Sequence, residues 1–111
     1  MAMIWEDHTI LFRGDVVYLC YPWQVLEFNN PTKLAATLMF VFTRGLVPVI
    51  SATYLQPHPI ELVMRRIIKR TIAKCDALLI CYEDHLTYYQ LLEILYAKEL
   101  DIPVAILRIP K

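Results

Sequence analysis

The stretch "CDALLICYEDHLTYYQLLEILYAKELDIPVAIL", Cys75 to Leu107, decides the fold. From Asp76, "DALLICY" is a short apolar run rich in branched side chains, which reads as a buried strand. A polar loop follows. The spacing then predicts a helix from about Thr87 to Leu100. "IPVAILRI", Ile102 to Ile109, is a second apolar run and reads as the last strand. Strand, helix, strand within some thirty residues is the crossover unit of a parallel sheet.

The same unit repeats toward the amino terminus. "VVYLC", Val16 to Cys20, reads as a buried strand after the turn-like Arg13-Gly14-Asp15. Asn30 before Pro31 is an N-cap followed by proline at the first helical position, and the helix runs to Arg44 and stops at Gly45. "LVPVI", Leu46 to Ile50, is a strand, "SATYLQPHP" a loop, and Pro59 opens a helix that reaches about Lys74. The strands are continuous apolar runs, as a sheet covered on both faces requires. The segment "IWEDHTILF" is ambiguous: it can supply an extra edge strand, formed as a hairpin through Arg13-Gly14. The expected architecture is a single α/β domain over residues 1–111, a flavodoxin-like three-layer sandwich with a mainly parallel four- to five-stranded sheet.

Composition excludes several function classes. Eleven basic and eleven acidic residues balance, which argues against a nucleic-acid footprint. The basic stripe Arg65, Arg66, Lys69, Arg70 and Lys74 is then a solvated helix face. The apolar region Leu34 to Ile50 is interrupted by Arg44 and Gly45, so no membrane span is expected, and no signal peptide is visible at Met1 to His8. Cys20, Cys75 and Cys81 are an odd set without paired spacing, which points to free thiols in a reducing, cytoplasmic setting. Neither a metal site nor a cofactor is expected. Hydrophobic residues make up 58% of the chain, and the first helix is apolar nearly all round, through Leu34, Leu38, Met39, Phe40, Val41 and Phe42. Such a helix is covered on more than one side. A homodimer, with this helix in the interface, is the expectation.

In open α/β sheets ligands bind beyond the carboxyl ends of the strands. That rule selects the loops Tyr21 to Asn29, Ser51 to His58 and Tyr82 to Tyr88. They bring candidate ligand-binding residues Tyr21, Trp23, Asn29, Tyr54, His58, Tyr88 and Tyr89, together with the acids Glu83 and Asp84 and with His85. Aromatic rings mixed with a few acids suit a flat, polar, base-like ligand. Glu93 follows in the second turn of the helix. Helical spacing sets it at the edge of the polar face, near Gln90 and Ala97. It is either a solvated glutamate or a carboxylate aimed across the strand ends, where it can act as nucleophile or general base.

The stretch from Cys75 to Leu107 resembles the carboxyl-terminal half of the nucleoside 2-deoxyribosyltransferase-like superfamily, which includes small phage and bacterial proteins. The shared frame is an Asp opening a buried strand, a polar loop, and then a pattern close to E-I-G-x-A-x-x-L-G-x-P-V. Here it reads Glu93, Ile94, Leu95, Tyr96, Ala97, then Leu100, Asp101, Ile102, Pro103, Val104. "VVYLCYP" is similar to the family's first strand and "RGLVPVI" to its second. The resemblance implies that Glu93 is the nucleophile that attacks C1′ of a sugar and displaces the base; for the family's second acid Asp84 and Glu83 are the candidates, and Asp84 or His85 is the acid expected to serve here. It also implies an oligomer and a nucleoside- or nucleotide-like ligand. Tyr88, Tyr89 and Gln90 stand where the family has a Ser-Gly-Thr-like turn, and Cys20-Tyr21-Pro22 replaces Ala-Gly-Pro, so the polar cradle is rebuilt. The expected function is therefore an N-glycosidase or deoxyribosyltransferase. The alternatives are a non-catalytic binder of a nucleotide-derived ligand, such as a phage-encoded sponge, and a structural dimer with a vestigial cleft.

Overall fold

The computed structural model describes residues 4–6, 11–23 and 31–109. In chain order the elements are β1 (Ile4–Glu6), β2 (Val16–Cys20), α1 (Pro31–Thr43), β3 (Val47–Val49), α2 (Ala52–Leu55), α3 (Glu61–Ala73), β4 (Ala77–Tyr82), α4 (Tyr88–Glu99) and β5 (Val104–Arg108). The sheet order is β1-β5-β4-β2-β3. β3, β2, β4 and β5 are parallel neighbours. The chain steps from β2 outward to β3, returns past β2 to β4, and continues to β5. This is the flavodoxin-like order, with its reversal between β2 and β4.

β1 pairs antiparallel with β5, Trp5 opposite Leu107. The amino-terminal segment is thus an edge strand, but it makes no hairpin with β2: two strands separate them. The Arg13-Gly14 turn does something else. Gly14 (φ 95°) donates its N–H to the Gly45 carbonyl at 2.7 Å, tying the entry of β2 to the entry of β3.

Two apolar layers flank the sheet. On one face Val17, Leu19, Leu79, Cys81, Ala105 and Leu107 pack with Val41 of α1. On the other, Tyr18, Cys20, Leu78 and Ile80 pack with Ile68 and Ile72 of α3 and Ala97 of α4. Alternate residues of β2 and β4 therefore serve opposite layers, which is why these strands are apolar without a break.

α1 and α4 stop by the same device. After α1, the Gly45 N–H donates to Phe42 O (2.9 Å) and the Leu46 N–H to Val41 O (3.4 Å). After α4, the Asp101 N–H donates to Lys98 O (3.2 Å) and the Ile102 N–H to Ala97 O (2.8 Å). Both are Schellman ends, with Val41–Leu46 and Ala97–Ile102 as the apolar closures. Gly45 has φ 76°, and a Cβ there runs into the Arg13 side chain. At the second end Asp101 adopts φ 55°, a conformation a short polar side chain tolerates. Asn30, the expected N-cap of α1, lies outside the described residues.

α4 starts as its sequence indicates. Thr87 caps it, and Thr87 and Gln90 form a reciprocal capping box. α3 begins at Glu61, two residues beyond Pro59. The 51–59 segment, expected as loop throughout, contains the four-residue helix α2, capped by Ser51. Among the described residues no helix is long and apolar enough to cross a membrane.

Candidate functional site

The amino end of the β2–β4 seam is fastened by Asp76. Its Oδ2 accepts from the Val16 N–H at 2.8 Å, and its own N–H donates to Val16 O at 2.7 Å. Asp76 is thus a structural clamp. The carboxyl end of the same seam, where the strand order reverses, is fastened by Gln90. Its Nε2 donates to Cys20 O (3.0 Å) and Cys81 O (2.6 Å), the last carbonyl positions of the two strands facing the crevice. Its Oε1 accepts from the Thr87 N–H at 3.0 Å. Gln90 is fully buried, so a carboxamide fills the place where this fold ordinarily meets a ligand.

One turn further along α4, Glu93 is also fully buried. The inward stripe of this helix is Gln90, Glu93 and Ala97, while Leu91 and Leu95 stay exposed. The grouping read from the sequence holds, but the face points to the sheet instead of to water. Glu93 is not a solvated glutamate. Its Oε2 accepts a hydrogen bond from Tyr18 Oη, a side chain in the middle of β2. Its Oε1 is buried and has no hydrogen-bond partner among the described residues.

Burial raises the Glu93 pKa to about 7; Tyr18, Tyr54 and Cys20 hold it from rising further. The hydroxyl of Tyr54 lies close enough to temper this carboxyl, although Tyr54 Oη completes no well-formed hydrogen bond among the described residues. Burial, then the Glu93 charge, pushes the Tyr18 and Tyr54 phenols well up, and likewise the Cys20 and Cys81 thiols. These groups remain protonated donors near neutral pH, and the thiols are inert. Cys20 and Cys81 end neighbouring strands but face opposite layers, both as free thiols.

An aromatic train leads away from the carboxyl. Tyr54 stacks on Trp23 with centroids 5.3 Å apart at 20°, and Trp23 meets Tyr21 at 4.9 Å and 55°. Burial raises the Tyr21 pKa to about 12, Cys81 adds to the rise, and Thr37 opposes it. Trp23 Nε1 is another buried atom without a hydrogen-bond partner among the described residues. At 5.3 Å the Trp23 and Tyr54 rings occupy each other's faces. They offer a wall and two polar edges, with no slot for a base between them.

The other expected site residues divide. Tyr88 and Tyr89 meet edge to face, but their hydroxyls turn to α3. Tyr88 Oη accepts from Arg65 Nη2 (2.6 Å), and Tyr89 Oη donates to Glu61 Oε1 (3.3 Å). His58 is a turn residue: its Nδ1 accepts from the Ile60 N–H at 3.0 Å. Asp84 and His85 are exposed on the β4–α4 loop. Asn29 lies outside the described residues. The basic stripe on α3 is largely solvated, with Arg65 paired to Glu61 and Lys69 to Glu99. Among the described residues no cluster of metal-ligating side chains occurs. Sequence reasoning missed Tyr18 and Gln90. Tyr18 reads as one more apolar strand residue, and only the paired carbonyls of Cys20 and Cys81 explain Gln90.

Fold and site together define a flavodoxin-like domain with a desolvated carboxyl under the rim of its sheet. Comparison with protein-family models, with curated proteins and with solved structures returns no match.

Proposed function

We propose that the protein is a nucleoside- or nucleotide-processing enzyme of the N-glycosidase or deoxyribosyltransferase kind, with Glu93 as nucleophile. The observation that carries this reading is the state of its carboxyl: buried, held through one oxygen by Tyr18, and with the other oxygen unpartnered beside Tyr54. A desolvated carboxylate fixed in orientation is suited to attack at an anomeric carbon. Glu93 Oε1 forms a bond to C1′ as the C–N bond breaks, and the bonding pair leaves with the base. The base takes a proton, for which Asp84 and His85 on the β4–α4 loop are the candidate donors. Water, or a second base, then displaces Glu93 from the sugar. Tyr18 is a positioning residue, holding Oε2 so that Oε1 faces the reaction.

Incubation with purine and pyrimidine deoxynucleosides and their monophosphates, followed by chromatography, should yield free base. The rate should rise with pH through about 7 as Glu93 ionises. Glu93→Ala should lower it by roughly a thousandfold or more. A second reading, a non-catalytic binder of a nucleotide-derived ligand, is favoured by one observation: Gln90 occupies the switch-point crevice from within. No free base from any substrate, with a small molecule retained on the purified protein, selects this second reading.

The protein is further proposed to be a homodimer through α1, whose outward Met39 and Phe42 are about 60% exposed. Light scattering should give twice the chain mass, and Met39→Glu with Phe42→Glu should halve it. A monomeric unsubstituted protein rejects the interface. A reducing, cytoplasmic setting suits three free, buried thiols.

A further inference from the structure

The Glu93 carboxyl lies among neutral groups. Tyr18 and Cys20 face it from β2, Tyr54 from α2, and Cys81 bears on it from β4. No cation among the described residues contributes to its electrostatics. Two cations of the neighbouring helices are engaged elsewhere, Arg65 with Glu61 and Lys69 of α3 with Glu99 of α4, while Arg66, Arg70 and Lys98 are exposed. A carboxylate taken out of water needs a compensating charge or loses its own by protonation. Among the described residues three buried polar atoms in this region complete no well-formed hydrogen bond: Glu93 Oε1, Tyr54 Oη, which lies close enough to temper that carboxyl, and Trp23 Nε1 on the ring stacked against Tyr54.

This donor and acceptor set has a definite complement. Glu93 Oε1 accepts. Tyr54 Oη can accept or donate. Trp23 Nε1–H only donates, so it needs an acceptor oxygen. A bare metal ion satisfies the carboxyl and leaves the indole N–H unpaired. We infer that the site takes a hydroxylated organic amine, with its ammonium nitrogen against Glu93 Oε1 and an oxygen of the same molecule on Trp23 Nε1–H. This goes beyond the glycosidase reading and holds whether or not the site turns over a nucleoside.

The proposal is tested by calorimetry with two probes of one shape: a hydroxylated pyrrolidine, cationic at neutral pH, and its tetrahydrofuran counterpart with the same hydroxyls. At pH 8 the pyrrolidine should bind about tenfold tighter or more, the size of one charge-assisted hydrogen bond. Below about pH 6 the preference should shrink, because the carboxyl regains its proton. At pH 7 binding should release protons, seen as a dependence of heat on buffer ionisation. Glu93→Gln should abolish the preference, and Tyr54→Phe should weaken it and move its pH dependence upward, because the Tyr54 hydroxyl holds the carboxyl pKa down. Equal binding of both probes, binding of neither, or a preference that survives Glu93→Gln overturns the assignment. The unsubstituted protein's pH series decides the matter should a variant fail to fold. Because no step reads turnover, failure here is separate from failure to release base.

Discussion

Glu93→Gln should make the protein more stable at pH 8, by about 3 kcal/mol, while removing any chemistry at this position. The carboxyl ionises near its ordinary 4.5 in the unfolded chain and near 7 in the folded one. It therefore binds its proton more tightly when folded. The stability this linkage contributes is fully present below pH 4.5 and is lost as pH rises through 7. Each pKa unit corresponds to about 1.4 kcal/mol, hence the figure of about 3. Glutamine has the shape of the protonated carboxyl: its oxygen accepts from Tyr18 Oη and its amide can donate to Tyr54 Oη. Urea denaturation of both proteins at pH 5 and pH 8 measures the effect. The difference between them should open by about 2.5 kcal/mol across that interval, in favour of the variant at high pH, because at pH 5 the unfolded carboxyl is already mostly ionised. Parallel pH profiles would show that the carboxyl is hydrated in solution, and the proposed nucleophile would lose its physical basis. A residue kept for packing alone has no reason to be the destabilising choice. A residue kept for reactivity does, since the desolvation that costs stability is what makes the carboxylate a competent nucleophile.

Most of the architecture was readable because it rests on local signals. Val16 to Cys20 and Ala77 to Tyr82 are continuous apolar runs, Gly45 is a helix stop, and the helix start near Thr87 follows from spacing. The placement of β1 was not readable, because three edge residues carry no mark of their partner. Nor was α2, a single turn whose only sign is Ser51. The site was half legible. Helical spacing placed Gln90, Glu93 and Ala97 on one face, but polarity sent that face toward water. The sheet reverses this, because its strand ends present carbonyls that only a donor such as Gln90 satisfies, and because a helix lying close on a sheet needs a small residue such as Ala97. Leu91 and Leu95 are displaced to the surface in consequence. Tyr88 and Tyr89 read as ligand-binding rings, and their hydroxyls serve the α3–α4 seam.

Gln90→Ala should destabilise the protein by roughly 3 to 5 kcal/mol. It leaves the carbonyls of Cys20 and Cys81 and the N–H of Thr87 without their partners, in a position closed to water. Gln90→Glu is the sharper test, because it changes almost no volume. At pH 8 its carboxylate points an oxygen at two carbonyl oxygens, and the loss should match or exceed that of alanine. Protonation restores one donor. The substituted carboxyl must then have a folded pKa raised above its unfolded value, and stability should return as pH falls below that folded pKa. Thermal or urea unfolding from pH 8 to pH 5 reads this directly. A tolerated Gln90→Glu with a flat pH profile would mean the carboxamide does not hold the seam. The consequence extends to function, because Glu93 lies one turn further on the same face and takes its aim from where α4 rests on β2. If the β2 and β4 tips part, Tyr18 and Glu93 lose register before the core itself fails. Base release or probe binding should therefore fall in Gln90→Ala even at temperatures where the variant remains folded.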